Sequence, residues 1–130
     1  MSQKPVSEKL RIMPGYRVML IDEPEGYREN MVLPEGVEIV TGKGKEVDLA
    51  QLFVTDMKGL KDKLPKLKKM MKKNGVIWVT YPKGTSKLAK EGNVDMNRDS
   101  IWKYGDEIGL TGVSMISIDD TWSGFRMKIK

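Results

Sequence analysis

The chain is predicted to be an α/β protein, a three-layer sandwich built on a mostly parallel six-stranded sheet with an antiparallel C-terminal hairpin strand. Three observations predict it. Short apolar runs alternate with amphipathic stretches in the order β-α-β-β-α-β-α-β-β, and interleaving of this kind favours right-handed crossovers onto a parallel sheet. The early runs are apolar almost throughout, as in strands covered on both faces. The last two alternate, as in an edge hairpin, so the C-terminal strand is expected to run antiparallel.

Each element has its own signal. Residues 9–15 (KLRIMPG) form a short lead-in ended by a Pro-Gly turn. Residues 16–22 (YRVMLID) form the first strand, and 23–27 (EPEGY) turn into a short helix around Tyr27–Met31. Residues 37–41 (VEIVT) form the second strand and 47–55 (VDLAQLFVT) the third, central one. Asp56 stands where an N-cap carboxylate accepts a free backbone N–H. Met57, Leu60, Leu64, Leu67, Met70 and Met71 then recur at helical spacing. Pro65 predicts a kink or two abutting helices. Asn74-Gly75 predicts the helix stop, with Lys72 and Lys73 beside the negative end of the dipole. Residues 76–81 (VIWVTY) are a buried strand, and 82–94 a polar loop. The helix at 97–108 should turn Ile101, Trp102, Gly105 and Ile108 inward. The strands 113–118 and 125–129 close the sheet through a turn at 119–124, with Arg126 and Lys128 facing water. Met19, Met57, Met70 and Met115 fall at core-facing positions and read as filler.

One hundred and thirty residues suit a single domain spanning 1–130, with 1–8 as a loosely ordered lead-in, and bury about two-thirds of the unfolded surface. No apolar stretch reaches the roughly 20 residues of a membrane span, and the start lacks a signal-peptide core, so the cytoplasm is the expected location. Cysteine and histidine are both absent. That excludes disulfides, Cys/His zinc sites, cysteine nucleophiles and the Ser-His-Asp triad. The net charge of +5 is concentrated: residues 56–73 hold eight lysines against two aspartates, while the remainder is close to neutral. A solvated helix face is the plain reading of this stretch; weak, nonspecific binding of nucleic acid or an acidic partner is the sharper one.

Two levels of resemblance follow from these segments. Residues 67–81 (LKKMMKKNGVIWVTY) resemble the helix–turn–strand unit late in class I S-adenosylmethionine-dependent methyltransferases, and the 113–129 hairpin resembles the hairpin that closes their Rossmann-like sheet. KLRIMPGYRV with PEGY (9–18, 24–27), the segments within 48–83, and DDTWSGFR (119–126) together resemble a family of short prokaryotic proteins with no established activity. That resemblance implies a truncated, Rossmann-like methyltransferase fold, with a strand order of about 2-1-3-4-6-5. The pattern departs from a working enzyme at the first turn. Residues 22–27 hold one glycine, one proline and three carboxylates, and those carboxylates would repel the cofactor's own. Where an acidic residue should end the second strand to take ribose hydroxyls, the chain has Thr41-Gly42-Lys43. Lys83-Gly84-Thr85-Ser86-Lys87 lacks Walker A spacing. The expectation is therefore a small-ligand or protein-binding module rather than an enzyme, with S-adenosylmethionine disfavoured and no cofactor or metal predicted; a minimal S-adenosylmethionine-dependent transferase is the alternative.

In an open α/β sheet, ligands bind outside the carboxyl ends of the strands. With the order above, that edge collects Asp22, Glu23, Gly26 and Tyr27, then Thr55 and Asp56, then Tyr81 and Lys83, and finally Asp119, Asp120 and Trp122. Such a set suits a small polar ligand. Asp119 and Asp120 fit a general base or, with Asp22, a divalent metal, although adjacent carboxylates commonly cap a turn. Trp122 with Arg126 fits a stacking site, or equally a ring that covers the sheet edge. Lys83 fits an anion contact, or a solvated loop.

Overall fold

The structure is a computed structural model that describes residues 6–29, 31–40, 46–82, 98–118 and 121–129. After a four-residue helix α1 (Val6–Lys9), the strands are β1 (Arg17–Ile21), β2 (Glu38–Ile39) and β3 (Val47–Phe53). Helix α2 (Met57–Met70), strand β4 (Met71–Pro82), helix α3 (Arg98–Glu107), β5 (Leu110–Ser117) and β6 (Trp122–Ile129) follow. The sheet order is β2-β1-β3-β4-β6-β5, as the resemblance implies. β1 pairs in parallel with β2 and β3, and β3 with β4, whereas β6 is antiparallel to both β4 and β5.

The two faces are covered differently. Leu60, Leu64 and Leu67 of α2 and Ile101 of α3 pack with Leu52, Ile77, Val79 and Phe125 on one face. On the other, Leu10, Val18, Leu49, Trp78 and Ile118 form a second core, covered by irregular chain bearing Tyr16, Tyr27, Leu33 and Val37. Leu10 is fully buried, and the Trp78 indole Nε1–H donates to its carbonyl at 3.0 Å. Leu10 and Ile12 of the segment 9–15 are thus part of the core.

Several local expectations need correction. Residues 25–29 form turns instead of a helix, with Tyr27 N–H bonded to Pro24 O at 3.0 Å. α2 runs through Pro65 as one helix. It ends at Met70 and passes directly into β4, where Met71 is already extended (φ −83°, ψ 147°). Asn74-Gly75 is no helix stop. It lies in an irregular stretch of β4, between the Val47–Met71 and Leu49–Val76 pairs. A Cβ on Gly75 would sit 3.0 Å from Lys72 O and 3.1 Å from Val47 O, so the close approach of two backbones demands glycine there. Lys72 leaves the dipole and pairs with Asp48 at 3.0 Å; Lys68 reaches Ile108 O at 2.6 Å. Trp102 lies outside the inner stripe of α3 and is exposed, as is Met115. Arg126 does not face water freely, because its Nε is buried. Among the described residues no helix is long and apolar enough to cross a membrane.

Candidate functional site

Strand order reverses between β1 and β3: from β1 the chain steps outward to β2, then returns to pair on the other side. The carboxyl ends of these strands border a cleft of about 240 Å³. Its walls are Asp22 from the end of β1, Phe53 to Asp56 after β3, Gly59 and Lys63 of α2, and Trp122 at the start of β6. Trp122 arrives because β6 is antiparallel, which brings its first residue to the edge where the parallel strands finish.

Each polar group here is held by local chemistry. Asp22 adopts a left-handed conformation, φ +58°, which aspartate tolerates better than most residues. Its carboxylate pairs with Lys63 across the cleft. Asp56 Oδ1 accepts the Gly59 N–H at 2.7 Å, capping α2 as predicted. Thr55 is exposed at the rim. Below, three rings stand edge to face: Tyr27 against Phe53 at 4.9 Å and Phe53 against Trp122 at 5.1 Å between centroids. The Tyr27 hydroxyl donates to Gln51 Oε1 at 2.7 Å, and Gln51 Nε2 donates to Thr80 Oγ1 at 3.0 Å. These bonds link the floor from β3 to β4.

The twelve candidate residues separate into groups. Asp22, Thr55, Asp56 and Trp122 meet in the cleft. Glu23 and Gly26 line an adjoining hollow of about 510 Å³ with Glu25, Arg28 and Glu29, where Arg28 Nη2 bonds Glu23 at 2.9 Å. Tyr27 supports the floor from beneath. Tyr81 turns to the α2/α3 face; its hydroxyl lies 3.8 Å from Met115 Sδ, and burial raises its pKa, with Arg98 opposing the rise. Arg126 stands opposite Trp78 in mid-strand, about 13 Å along β6 from Trp122 by strand rise, so the two do not form a stacking pair. Lys83, Asp119 and Asp120 lie outside the described residues. Among the described residues no group of three or more His, Cys, Asp or Glu is placed to hold a metal.

Sequence reasoning overlooked Lys63, Phe53, Gly59 and Gln51. Lys63 was legible in principle, seven residues beyond the Asp56 cap and hence on the same side of α2 two turns later. Gln51 is the one amide inside the apolar run of β3, and a buried amide needs partners.

No family model matches the chain, and no curated protein matches it in sequence. Solved structures match it in shape. An S-adenosylmethionine-dependent methyltransferase from Aquifex aeolicus superposes with a TM-score of 0.63 at 13% identity, over 96% of this chain and 88% of that one. The fold is Rossmann-like, of the methyltransferase kind. An rRNA methylase from Streptococcus thermophilus gives 0.52 at 8% identity, over 99% of this chain and 98% of that one. LepI in complex with S-adenosylmethionine gives 0.56 at 15% identity over 96% of this chain, which spans 39% of LepI's length.

Proposed function

We propose that this Rossmann-like, methyltransferase-type domain is a binding module for a small polar ligand, held in the cleft between the ends of β1 and β3. The observation that carries the reading is the place of the cleft, at the point where strand order reverses and open α/β sheets bind ligands. Its chemistry narrows the ligand. Asp22 and Lys63 present opposite charges across the opening, Thr55 adds a hydroxyl, and Trp122 offers an apolar ring. A small zwitterion with an apolar body would replace the internal ion pair by taking its ammonium to Asp22 and its acid group to Lys63.

Whole S-adenosylmethionine fits these residues poorly. The cleft of about 240 Å³ is below the roughly 300–1,000 Å³ of sites for ligands of that size. Beyond it, the hollow toward Glu23, Glu25 and Glu29 would set three more carboxylates near the cofactor's own. The second reading, a minimal S-adenosylmethionine-dependent transferase, draws its support from the A. aeolicus and LepI likenesses.

A thermal-shift screen of amino acids, nucleosides, S-adenosylmethionine and S-adenosylhomocysteine, followed by titration calorimetry, separates the two. A ligand that prefers the folded state raises Tm. On our reading a small zwitterion does so, and Lys63→Gln weakens it at least tenfold with little loss of stability, because both partners of this ion pair are part-exposed. Low-micromolar S-adenosylmethionine binding with methyl transfer would establish the second reading instead. No shift with any compound, or binding indifferent to Lys63→Gln, removes the first.

A further inference from the structure

The N-terminal segment 9–18 and the C-terminal segment 121–126, far apart in sequence, meet on the sheet face away from α2 and α3. The bond from Trp78 Nε1 to Leu10 O, 3.0 Å long, seats residues 9–11 on β4. Arg126 is the residue directly opposite Trp78 in the antiparallel β4/β6 pair, and such partners project from the same face about 5 Å apart. Arg126 therefore rises beside the seat of Leu10, from which Arg11 extends. Lys9, two residues earlier, is committed elsewhere, since its Nζ donates to Ser117 O at 3.2 Å. Arg11 itself is exposed and holds a left-handed conformation, φ +60°, that arginine rarely adopts.

The electrostatics at this corner are incomplete. Arg126 Nε is buried and, among the described residues, has no hydrogen-bond partner. Among the described residues no carboxylate pairs with either Arg11 or Arg126. Burial, and after it the Arg11 cation, lowers the pKa of the Arg126 guanidinium, while Tyr16 opposes the shift. A buried N–H without an acceptor is costly, and two adjacent guanidinium groups without a counter-ion add repulsion. One bound oxyanion would satisfy the open donor and neutralise the pair, and the planar guanidinium fork matches its geometry.

We propose that Arg11 and Arg126 form a second binding site, separate from the β1/β3 cleft, for the phosphate or carboxylate group of a small ligand. Arg126 supplies the inner donor Nε–H, Arg11 the outer fork, and Tyr16 flanks them. The site lies where residues 9–18 and 121–126 converge, which gives those segments a shared chemical role that the cleft does not use.

Arginine Nε–H resonances in ¹H–¹⁵N spectra report this directly. Inorganic phosphate and citrate are titrated separately against sodium chloride at matched ionic strength, in wild type, Arg11→Gln and Arg126→Gln. We expect a saturable shift of the Arg126 Nε–H resonance with one of the two probes, and the one that produces it tells a phosphate from a carboxylate ligand. Arg11→Gln should weaken that binding at least tenfold, whereas Lys58→Gln with Lys61→Gln on α2 should leave it unchanged. If Arg126→Gln does not fold, Arg11→Gln decides alone, because Arg11 is exposed. A shift that tracks ionic strength only, or persists undiminished in Arg11→Gln, overturns the site.

Discussion

The Tyr104 hydroxyl donates to the backbone carbonyl of Lys61 at 3.4 Å. Lys61 is four residues before Pro65, so its carbonyl is the one that proline leaves without a helical N–H. A side chain of α3 thus supplies the bond missing from α2, and the helix continues where the sequence predicts a break. Tyr104→Phe is expected to cost about 1 kcal/mol. Pro65→Ala should stabilise by about 1–3 kcal/mol, since it restores the ladder. In the Pro65→Ala background, Tyr104→Phe should cost nearly nothing. Urea midpoints for the four proteins of this double-mutant cycle measure the coupling, and strict additivity would disprove the compensation.

Gln51 and Thr80 are both fully buried, so removing one partner strands the others. Gln51→Leu leaves the Tyr27 and Thr80 hydroxyls facing an apolar group and should destabilise by about 2 kcal/mol. Adding Tyr27→Phe and Thr80→Val removes the stranded groups, and should recover much of that loss. Chemical denaturation of the single and triple variants tests this; a triple variant weaker than the single would show that packing, not satisfaction, holds the floor.

Gly124 sits in β6 opposite Thr80, where an added Cβ would meet Trp78 Cε3 and Ile118 Cδ1 at 3.2 Å. Neither neighbour has free space, since both are buried. Gly124→Val should therefore cost about 1–3 kcal/mol through overpacking. An unchanged denaturation midpoint would mean that the ring can move aside.

How much of this was legible follows from which forces are local. The strands, α2 and the closing hairpin follow from apolar periodicity and the Asp56 cap, which act over a few residues; the sheet order, which is non-local, came with the methyltransferase-like resemblance. The continuity of α2 through Pro65 was not legible, because the rescuing hydroxyl comes from a helix some forty residues later. Asn74-Gly75 carries a true signal for special backbone, yet the same dipeptide serves a helix stop or a strand irregularity. Tertiary contact with Val47 decides which. In the site, chain topology brought Asp22, Thr55, Asp56 and Trp122 to one cleft, as strand-end reasoning expects. Tyr81 and Arg126 fell elsewhere because alternation along β4 and distance along β6 separate residues that sequence places near the same motifs.

Alkaline pH should expose the burial of Tyr81. Its folded-state pKa is raised, chiefly by desolvation, so the neutral phenol is favoured by the fold. The resulting stability is present in full below the unfolded tyrosine value of about 10, and is lost as pH climbs through the higher folded value. Tm of wild type should then fall more steeply than that of Tyr81→Phe between about pH 9.5 and 11. Parallel curves over that window would show that Tyr81 ionises as freely in the folded state as in the unfolded one.

The lysine-rich helix makes a quantitative prediction once its commitments are counted. Lys63 pairs with Asp22, Lys66 with Asp62 and Lys72 with Asp48, and Lys68 is held by Ile108 O. That leaves Lys58, Lys61, Lys69 and Lys73 exposed, and Lys61 already lies over the Tyr104 ring, 5.7 Å from its centroid. Each phosphate neutralised on duplex DNA contributes about −0.9 to the slope of log K against log salt. Four available lysines therefore limit the slope to about −4, compared with about −7 if all eight were engaged. The stretch has no arginine or aromatic residue to read bases, so binding should be weak and indifferent to sequence. Fluorescence anisotropy with double-stranded oligonucleotides across a salt series measures the slope. A value steeper than about −4 would mean that DNA pulls committed lysines from their partners, and sequence-selective binding at physiological salt would mean that the surface is a specific reader.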